Sequence, residues 1–238
     1  MEQPTASMLV IGDELLSGRT HDANMHHLAN ELTEIGINLS EARFIRDDAK
    51  VIVSNIVELS TKFDYLFTSG GIGPTHDDIT TDCVAEAFSR QVSVRSDAFK
   101  ILKKYYDGKG IELNEARLRM ARIPEKADLI ENPISGAPGY VIENVYVMAG
   151  VPKIFQSMLK TVLPNLKKGS PTLSLSVKLY KGEGDIAMQL EQIVKAFSEL
   201  NFGSYPFNEN GNYGTNIVIR GKDKKLMMKA EEKVLTLA

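Results

Sequence analysis

The sequence of 238 residues predicts an α/β fold in three layers, α/β/α, with a largely parallel sheet, plus a small C-terminal α+β domain. Strand-like and helix-like patterns alternate through the first two-thirds of the chain, and three consecutive β-then-α units are typical of a parallel sheet covered by helices. Past the linker-like run Lys167–Pro171 the order changes to strand, helix, two strand-like segments and helix. We therefore expect two domains, residues 1–168 and 169–238.

The elements follow from local patterns. Met8–Ile11 is a short apolar run that stops at Gly12, and apolar residues recur at helical spacing from Asp22 to Ile35. The later elements of the first domain are predicted as a strand over 37–45, a helix over 51–59, a strand over 64–69, a helix over 80–88, a mainly helical stretch over 96–122 with turns at Gly108 and Gly110, a hairpin over 139–149 turning at Asn144, and a helix over 152–166. The second domain is predicted as a strand over 173–180, a helix over 185–200, strand-like segments near 202–205 and 216–220, and a helix from Lys224.

Composition and charge limit the possible partners. The chain is 43% hydrophobic and 25% charged, as in soluble globular proteins. A net charge of −3 gives no general attraction to nucleic acid or to a membrane surface. The second domain has the element order of an RNA-binding KH domain, but no GXXG loop joining two helices is predicted after residue 170. With a single cysteine, Cys83, and neither a signal peptide nor a long apolar run, we expect a cytoplasmic protein without membrane or nucleic-acid partners.

The segment 66–81, LFTSGGIGPTHDDITT, contains the densest functional signals of the chain. A strand-like run breaks at Gly70, Gly71 and Gly73 shortly before a predicted helix. A glycine-rich turn of this kind exposes backbone N–H groups at which phosphate oxygens bind. The Gly-Lys-Ser/Thr of a Walker A loop is missing, and His76 stands where a dinucleotide-binding fingerprint needs its third glycine. A glycine-rich turn with a capping aspartate and no ligand is the alternative.

Carboxylates follow this turn and two other predicted strand ends. Asp77 and Asp78 follow the glycines, Asp47 follows the second strand, and Glu14 follows the first. Because ligands of parallel sheets lie beyond the carboxyl ends of strands, we expect these side chains to converge at one edge. Carboxylates repel phosphate unless a hard cation lies between them. We therefore expect Mg²⁺ or another divalent cation at Asp47, Asp77 and Asp78, with helix capping by Asp47-Asp48 as the alternative.

A third candidate segment is Asn132–Tyr140, NPISGAPGY, which contains two prolines and two glycines. Such residues fix a surface turn, and exposed backbone amides near Gly136 would meet a ligand there. The alternative is a rigid entry into the following hairpin.

These segments together resemble the molybdopterin-binding (MoaB/Mog-like) domain family. The likeness rests on GGIGPTHDD after a strand, on GDELLSG and Asn24 upstream, and on AGVPK downstream, and it spans roughly residues 7–166. Two long-chain branches share these features: competence/damage-inducible protein A, and the molybdopterin-binding-like domain of eukaryotic FAD synthase, which is closer in the spelling of GGIGPTHDD. The sequence departs from the first branch at Ala149 and Ile154, where a proline and a glutamate are usual, and at Arg46, where a small residue is usual.

The resemblance implies a divalent-metal-dependent pyrophosphatase that acts on FAD or ADP-ribose, with a small-molecule nucleotide or pterin as ligand, and a homo-oligomer. The alternatives are a non-catalytic protein that binds molybdopterin or a nucleotide, and a molybdopterin adenylyltransferase of molybdenum cofactor biosynthesis. By position, the catalytic residues would be Asp47 and Asp78, and the ligand and phosphate contacts would be Glu14, Asn24, Gly70, Gly71, Gly73 and Thr75.

Overall fold

The computed structural model describes residues 3–209 and 211–238. The chain divides into two compact units, Met1–Gly169 and Ser170–Ala238. In the described residues no helix is both long and apolar enough to cross a membrane.

The first unit is built on a six-stranded, mainly parallel sheet. Its elements in chain order are β1 (Thr5–Ile11), α1 (Asp13–Leu16), α2 (Asn24–Glu34), β2 (Asn38–Ile45), α3 (Ala49–Lys62), β3 (Tyr65–Ser69), α4 (Thr80–Ala87), β4 (Val92–Val94), α5 (Ser96–Asp107), α6 (Glu115–Leu118), β5 (Arg122–Pro124), β6 (Asp128–Ile130), β7 (Gly139–Ile142), β8 (Val145–Met148) and α7 (Pro152–Val162). The strand order is β2-β1-β3-β8-β7-β6. The first four strands of this order run parallel, and β7 and β6 pair antiparallel at one edge.

Two apolar cores cover the two faces of this sheet. Along β1, Met8 and Val10 point to the core formed with α2 and α7, whereas Leu9 and Ile11 point to the core formed with α3, α4 and α5. This alternation is the period of two that a strand imposes on its side chains. Both faces of the strand are therefore buried, which confirms the predicted three-layer α/β fold. Cys83 is 2% exposed in the second of these cores.

The structure departs from the sequence prediction between residues 88 and 130. The predicted helical stretch 96–122 is interrupted at the expected turn, where Gly110 has a φ of +65°. The helix resumes only as the single turn α6, capped by Asn114, whose side chain accepts a hydrogen bond from the Arg117 amide. Strands β4 and β5 pair with each other in a separate two-stranded sheet. Strands of three residues are too short to show a periodic pattern, so neither they nor β6 were predicted.

Helix α7 ends four residues before the predicted limit. A short 3₁₀ turn, Leu163–Asn165, follows it and contains Pro164. Proline has no N–H for the i→i−4 hydrogen bond and its ring collides with the preceding turn, so the α-helix stops before it.

The second unit is a three-stranded antiparallel sheet with two helices. Its elements are β9 (Leu173–Leu179), α8 (Glu183–Ala196), β10 (Asn201–Glu209), β11 (Asn212–Gly221) and α9 (Lys224–Leu235), and the strand order is β10-β11-β9. The small α+β domain is thus confirmed, but β10 and β11 form a longer hairpin than the two short predicted segments. Pro206 and Gly214 lie inside these strands, where such residues weaken the sequence signal. Pro206 is tolerated because β10 is an edge strand.

Candidate functional site

The ends of β1, β2 and β3 meet at one edge of the sheet. The Gly12 amide donates to the carbonyl of Ile45 across 3.1 Å. Gly70 lies so close to β1 that a Cβ at this position would be 2.2 Å from the carbonyl oxygen of Ile11. The segments after three parallel strands are therefore in contact, as the β-α order predicted.

A cleft of about 680 Å³ opens at this edge. Its polar wall contains four carboxylates and the backbone of residues 70–74; in the described residues that line it there is no Lys or Arg. Among the residues chosen from sequence, those that line the cleft are Glu14, Asp47, Gly70, Gly71, Gly73, Asp77 and Asp78. The arrangement is an acidic cavity with a glycine-rich floor.

The glycine loop is held against the start of α4. Gly71 has a φ of +70°, and a Cβ there would lie 2.0 Å from Oγ1 of Thr80. Thr80 itself donates its hydroxyl to the carbonyl of Gly70 (3.0 Å) and its amide to the carbonyl of Gly71 (3.0 Å). Only glycine combines this φ with such a close approach. The loop is therefore fixed by short contacts on its inner side.

The amides of this loop are not equivalent. The Gly70 N–H donates to the carbonyl of Met148 (3.2 Å), so it belongs to the sheet. Within the described part of the chain, the N–H groups of Gly71, Ile72 and Gly73 have no protein acceptor. Consecutive free amides beside a helix start form an anion-binding concavity.

Asp78 closes the far side of the loop. Its Oδ2 accepts hydrogen bonds from the Thr75 amide (2.8 Å) and from the Thr75 hydroxyl (2.6 Å). A Cβ at Gly73 would lie 2.6 Å from the same oxygen. Thr75 is exposed and is not part of the cleft lining. In this arrangement the Thr75 amide fixes the loop instead of facing a ligand, and Oδ1 of Asp78 is left for another partner.

The neighbouring aspartates Asp47 and Asp48 have separate roles. Asp48 caps α3, since its side chain accepts from the Val51 amide at 3.1 Å. The capping alternative therefore applies to Asp48. Asp47 instead reaches across to the start of α1, where its Oδ2 accepts from the Asp13 amide at 3.0 Å.

The surroundings of Asp47 disfavour its negative charge. Burial is the largest influence that raises the pKa of Asp47, and the nearby carboxylates of Asp13, Glu14 and Asp77 raise it further against the lowering effect of the Asp13 amide. The nearest arginine, Arg46, is engaged with Asp13 at 3.0 Å. A positive charge entering the cleft would relieve this repulsion.

The donor set suits a cation that is shared with a ligand. Within residues 3–209 and 211–238, no three His, Cys, Asp or Glu side chains are placed to hold a metal ion by themselves. Mg²⁺ is usually held by one or two carboxylates together with substrate phosphates and waters. Asp47 and the free oxygen of Asp78 fit that mode, because both line the cleft beside the free amides. Joint metal binding by Asp47, Asp77 and Asp78 stays a prediction.

Of two further residues chosen from sequence, Asn24 joins segments of the fold but keeps an unpaired Oδ1 among the described residues, so its contact with a ligand stays a prediction, whereas Gly136 does not line the cleft. Asn24 is 3% exposed, and its Nδ2 donates to Oγ of Ser69 (2.8 Å) and to the carbonyl of Gly150 (2.7 Å). It thereby ties the end of β3 to the segment after β8. Gly136 corrects our expectation, because its amide donates to the carbonyl of Asn132 (3.0 Å) and a Cβ there would strike Tyr105 at 2.6 Å. Ser135 and Ala137, on either side of Gly136, face the cleft instead.

The cleft also has an apolar wall, and sequence reasoning missed the part of it that comes from α5 and from the 3₁₀ turn Arg119–Ala121 after α6. This wall is made by residues from α5, from the 3₁₀ turn after α6 and from the segment leading into α7: Tyr106, Met120, Ala149, Val151, Pro152 and Ile154. Tyr106 and Met120 blend into the apolar pattern of a helical stretch, so no local signal separates them from core residues. The cleft therefore combines an apolar surface with its carboxylates and glycine loop.

Comparison with known proteins agrees with this geometry. A family model described as a probable molybdopterin binding domain matches residues 7–168, and one described as the middle domain of FAD synthase matches residues 171–238. A protein of Archaeoglobus fulgidus is 30% identical over 94% of this chain and 93% of its own length. A protein of Pyrococcus abyssi is 33% identical over 95% of this chain and 94% of its own length.

Among solved structures, the protein CinA from Thermoplasma acidophilum is 33% identical to this chain. The match covers 68% of this chain and 98% of that one, with a TM-score of 0.62. These findings confirm the family that the glycine-aspartate segment indicated. The chain belongs to the family of probable molybdopterin binding domains.

Proposed function

We propose that this protein binds a ligand with a planar ring and a pyrophosphate group, and that it hydrolyses the pyrophosphate of a dinucleotide of the FAD or ADP-ribose type. The observation that supports this best is the position of the free amides of Gly71, Ile72 and Gly73 beside Asp47 and Asp78. Amides for phosphate oxygens and carboxylates for a cation are the two requirements of pyrophosphate binding.

The glycine loop would bind the phosphate groups. Its free N–H groups lie just before α4, where the helix dipole also favours negative charge. Because contacts with Thr80 and Asp78 hold the loop from behind, its amides keep their positions as charge builds on the phosphate oxygens. The loop would thus stabilise the charged state of the reacting phosphate.

The ring of the ligand would lie against the apolar wall. Tyr106, Met120 and Val151 are among the apolar residues that line the cleft. Pterin, flavin and adenine all offer a flat face of this kind, so the wall favours a ring without choosing among them.

The carboxylates would serve the hydrolysis itself. A divalent cation held by Asp47 and Asp78, when bound, would neutralise phosphate charge and lower the pKa of a water. As the water oxygen attacks phosphorus and the bridging P–O bond breaks, the proton that the water loses would pass to solvent at the open cleft. Cleavage of the P–O–P bridge would release AMP together with FMN from FAD, or with ribose 5-phosphate from ADP-ribose.

The test is release of AMP from FAD and from ADP-ribose by purified protein, with Mg²⁺, Mn²⁺ or Co²⁺ and without a metal. We expect metal-dependent release by the wild type and a loss of at least about 100-fold in Asp47→Asn. The matched control is Asp48→Asn, whose side chain caps α3 outside the cleft and should keep the activity. Equal activity in the two variants would contradict the role of Asp47.

Binding without turnover is the second candidate. It is favoured by one observation, namely that the described residues contain no ready-made group of three metal ligands. Calorimetry with FAD, ADP-ribose and molybdopterin would then show tight binding while AMP stays at background. That outcome would replace hydrolysis by a carrier or binding role at the same cleft.

A further inference from the structure

The cleft as described lacks the positive charge that a pyrophosphate requires. Glu14, Asp47, Asp77 and Asp78 line it, and no Lys or Arg is among the described lining residues. A divalent cation offsets part of this repulsion, yet a pyrophosphate diester still adds about two negative charges to four carboxylates. A positively charged side chain near the cleft would offset the negative charge that remains.

A second, much smaller cavity of about 10 Å³ lies behind the glycine loop. It shares Ile72, Gly73, Asp78 and Met120 with the cleft, so the two spaces adjoin. A cavity of this size has room for about one water-sized group. One oxygen atom of a ligand that rests on Gly73 would fit there.

Arg119, in the 3₁₀ turn after α6, lines this cavity and is unpaired. Its Nε is buried without an acceptor, and within residues 3–209 and 211–238 no carboxylate forms an ion pair with it. Neighbouring arginines differ in this respect. Arg122 forms two hydrogen bonds with Asp82, and Arg117 donates to the carbonyl of Glu112. A half-buried guanidinium without a partner is costly unless a ligand supplies one.

Tyr140 lines the same cavity from β7. It is 1% exposed, and its hydroxyl lies beside the Thr81 side chain without forming a hydrogen bond of normal geometry among the described residues. Two groups able to donate, the Arg119 guanidinium without an acceptor and the almost fully buried Tyr140 hydroxyl beside Thr81, therefore border one oxygen-sized space next to Gly73. Buried donors are nearly always satisfied, so their convergence indicates an acceptor that is brought by the ligand.

We propose that Arg119 and the Tyr140 hydroxyl form an anion subsite that receives a non-bridging oxygen of the pyrophosphate beside Gly73. The proposal deepens the proposed function and rests on it for the identity of the ligand. Arg119 contacts the phosphate directly and supplies the protein cation that the cleft lining lacks. The Gly71–Gly73 amides hold the phosphate from one side and the guanidinium from the other.

The test is calorimetric binding of inorganic pyrophosphate and of ADP-ribose, each with and without Mg²⁺. Arg119→Met should weaken both ligands by about 10- to 100-fold, the effect of losing a hydrogen bond to a charged group. Arg119→Lys should recover part of the affinity because it restores charge without the planar fork. The matched control is Arg90→Met, which removes the same charge from a site beyond α4 where Arg90 pairs with Glu143. It should bind as the wild type does.

The variant Tyr140→Phe tests the subsite independently of Arg119. Among the described residues the hydroxyl has only its contact with Thr81 and no hydrogen bond of normal geometry, so its removal should change the melting temperature little. Pyrophosphate binding should weaken by about 2- to 10-fold. A lower melting temperature with unchanged affinity would assign the hydroxyl a structural role and overturn its place in the subsite.

The outcomes separate this inference from the proposed function. If the wild type binds pyrophosphate and Arg119→Met binds it equally well, the subsite is overturned and the proposed function stands. If Arg119→Met loses binding but the wild type releases no AMP, the subsite stands and hydrolysis fails. If the wild type binds neither ligand under any condition, both are overturned.

Discussion

Replacement of Gly71 by alanine should strongly destabilise the first unit. Alanine at a φ of +70° costs about 1–2 kcal/mol in backbone strain. The new methyl group would also lie 2.0 Å from Oγ1 of Thr80, a buried residue whose hydroxyl bonds to Gly70. Displacing that hydroxyl loses a hydrogen bond worth about 1 kcal/mol. We expect a total loss of about 2–3 kcal/mol.

The matched control for this change is Gly18→Ala. Gly18 has nearly the same φ, +74°, but a Cβ there meets nothing within 4 Å. It should lose only the backbone strain, about 1–2 kcal/mol. Adding Thr80→Ala to Gly71→Ala removes the clashing oxygen and should recover part of the difference, which a double-mutant cycle measures.

The chain offers a direct assay for this comparison. Cys83 is its single cysteine, 2% exposed in a core of the first unit, where burial raises the pKa of the thiol to about 11. A thiol reagent therefore labels it only when this unit opens. Labelling across a urea series gives the free energy of unfolding of the first unit. If Gly71→Ala and Gly18→Ala lose the same stability, the close contact with Thr80 is refuted.

Four further outcomes are expected. Asp47→Asn should become more stable relative to the wild type as pH rises from about 4 to 7, because the folded state raises the pKa of Asp47 and so disfavours its carboxylate. If the difference between the two melting temperatures stays constant across this pH range, the prediction is wrong. Asp78→Ala should abolish AMP release and destabilise the first unit by about 1 kcal/mol through loss of the Thr75 hydrogen bonds, measured by the AMP and thiol-labelling assays. Brief trypsin treatment should cut after the exposed Lys167 or Lys168 and leave two protected fragments visible by mass spectrometry. Light scattering should give a mass that is a multiple of 26.3 kDa, as a homo-oligomer requires.

The parallel core of the fold was predictable because its elements carry strong local patterns. β1, α2 and α3 each show an apolar run or stripe that ends at a glycine or begins at an aspartate. The alternation of strands and helices places Gly12, Asp47 and Gly70 at one edge of the sheet, because each follows a strand and parallel strands share a direction. The structure agrees in the contacts Gly12–Ile45 and Asp13–Asp47.

Other parts of the site could not be predicted for a different physical reason. Whether the Gly136 amide faces a ligand or the carbonyl of Asn132 depends on the local turn geometry, which residue types alone do not determine. The role proposed for Arg119 rests on its Nε having no partner among the described residues, which is a property of the packed structure. Tyr106 joins the cleft through tertiary packing of α5. The sequence therefore indicates which backbone segments meet, whereas the contacts of individual side chains can be identified only in the folded structure.

The contact of Gly70 with the Ile11 carbonyl has a consequence for how ligands bind. Because the loop touches the next strand with no space for even a methyl group, it cannot shift without moving β1 and, through the Asp13 amide, Asp47 as well. The cleft is thus preorganised by the sheet itself, so a ligand loses little of its binding free energy to ordering the loop. Tyr106 and Met120, which line the same cleft from outside the six-stranded sheet, are free of this constraint, so substitutions there should alter ring specificity without disturbing the loop.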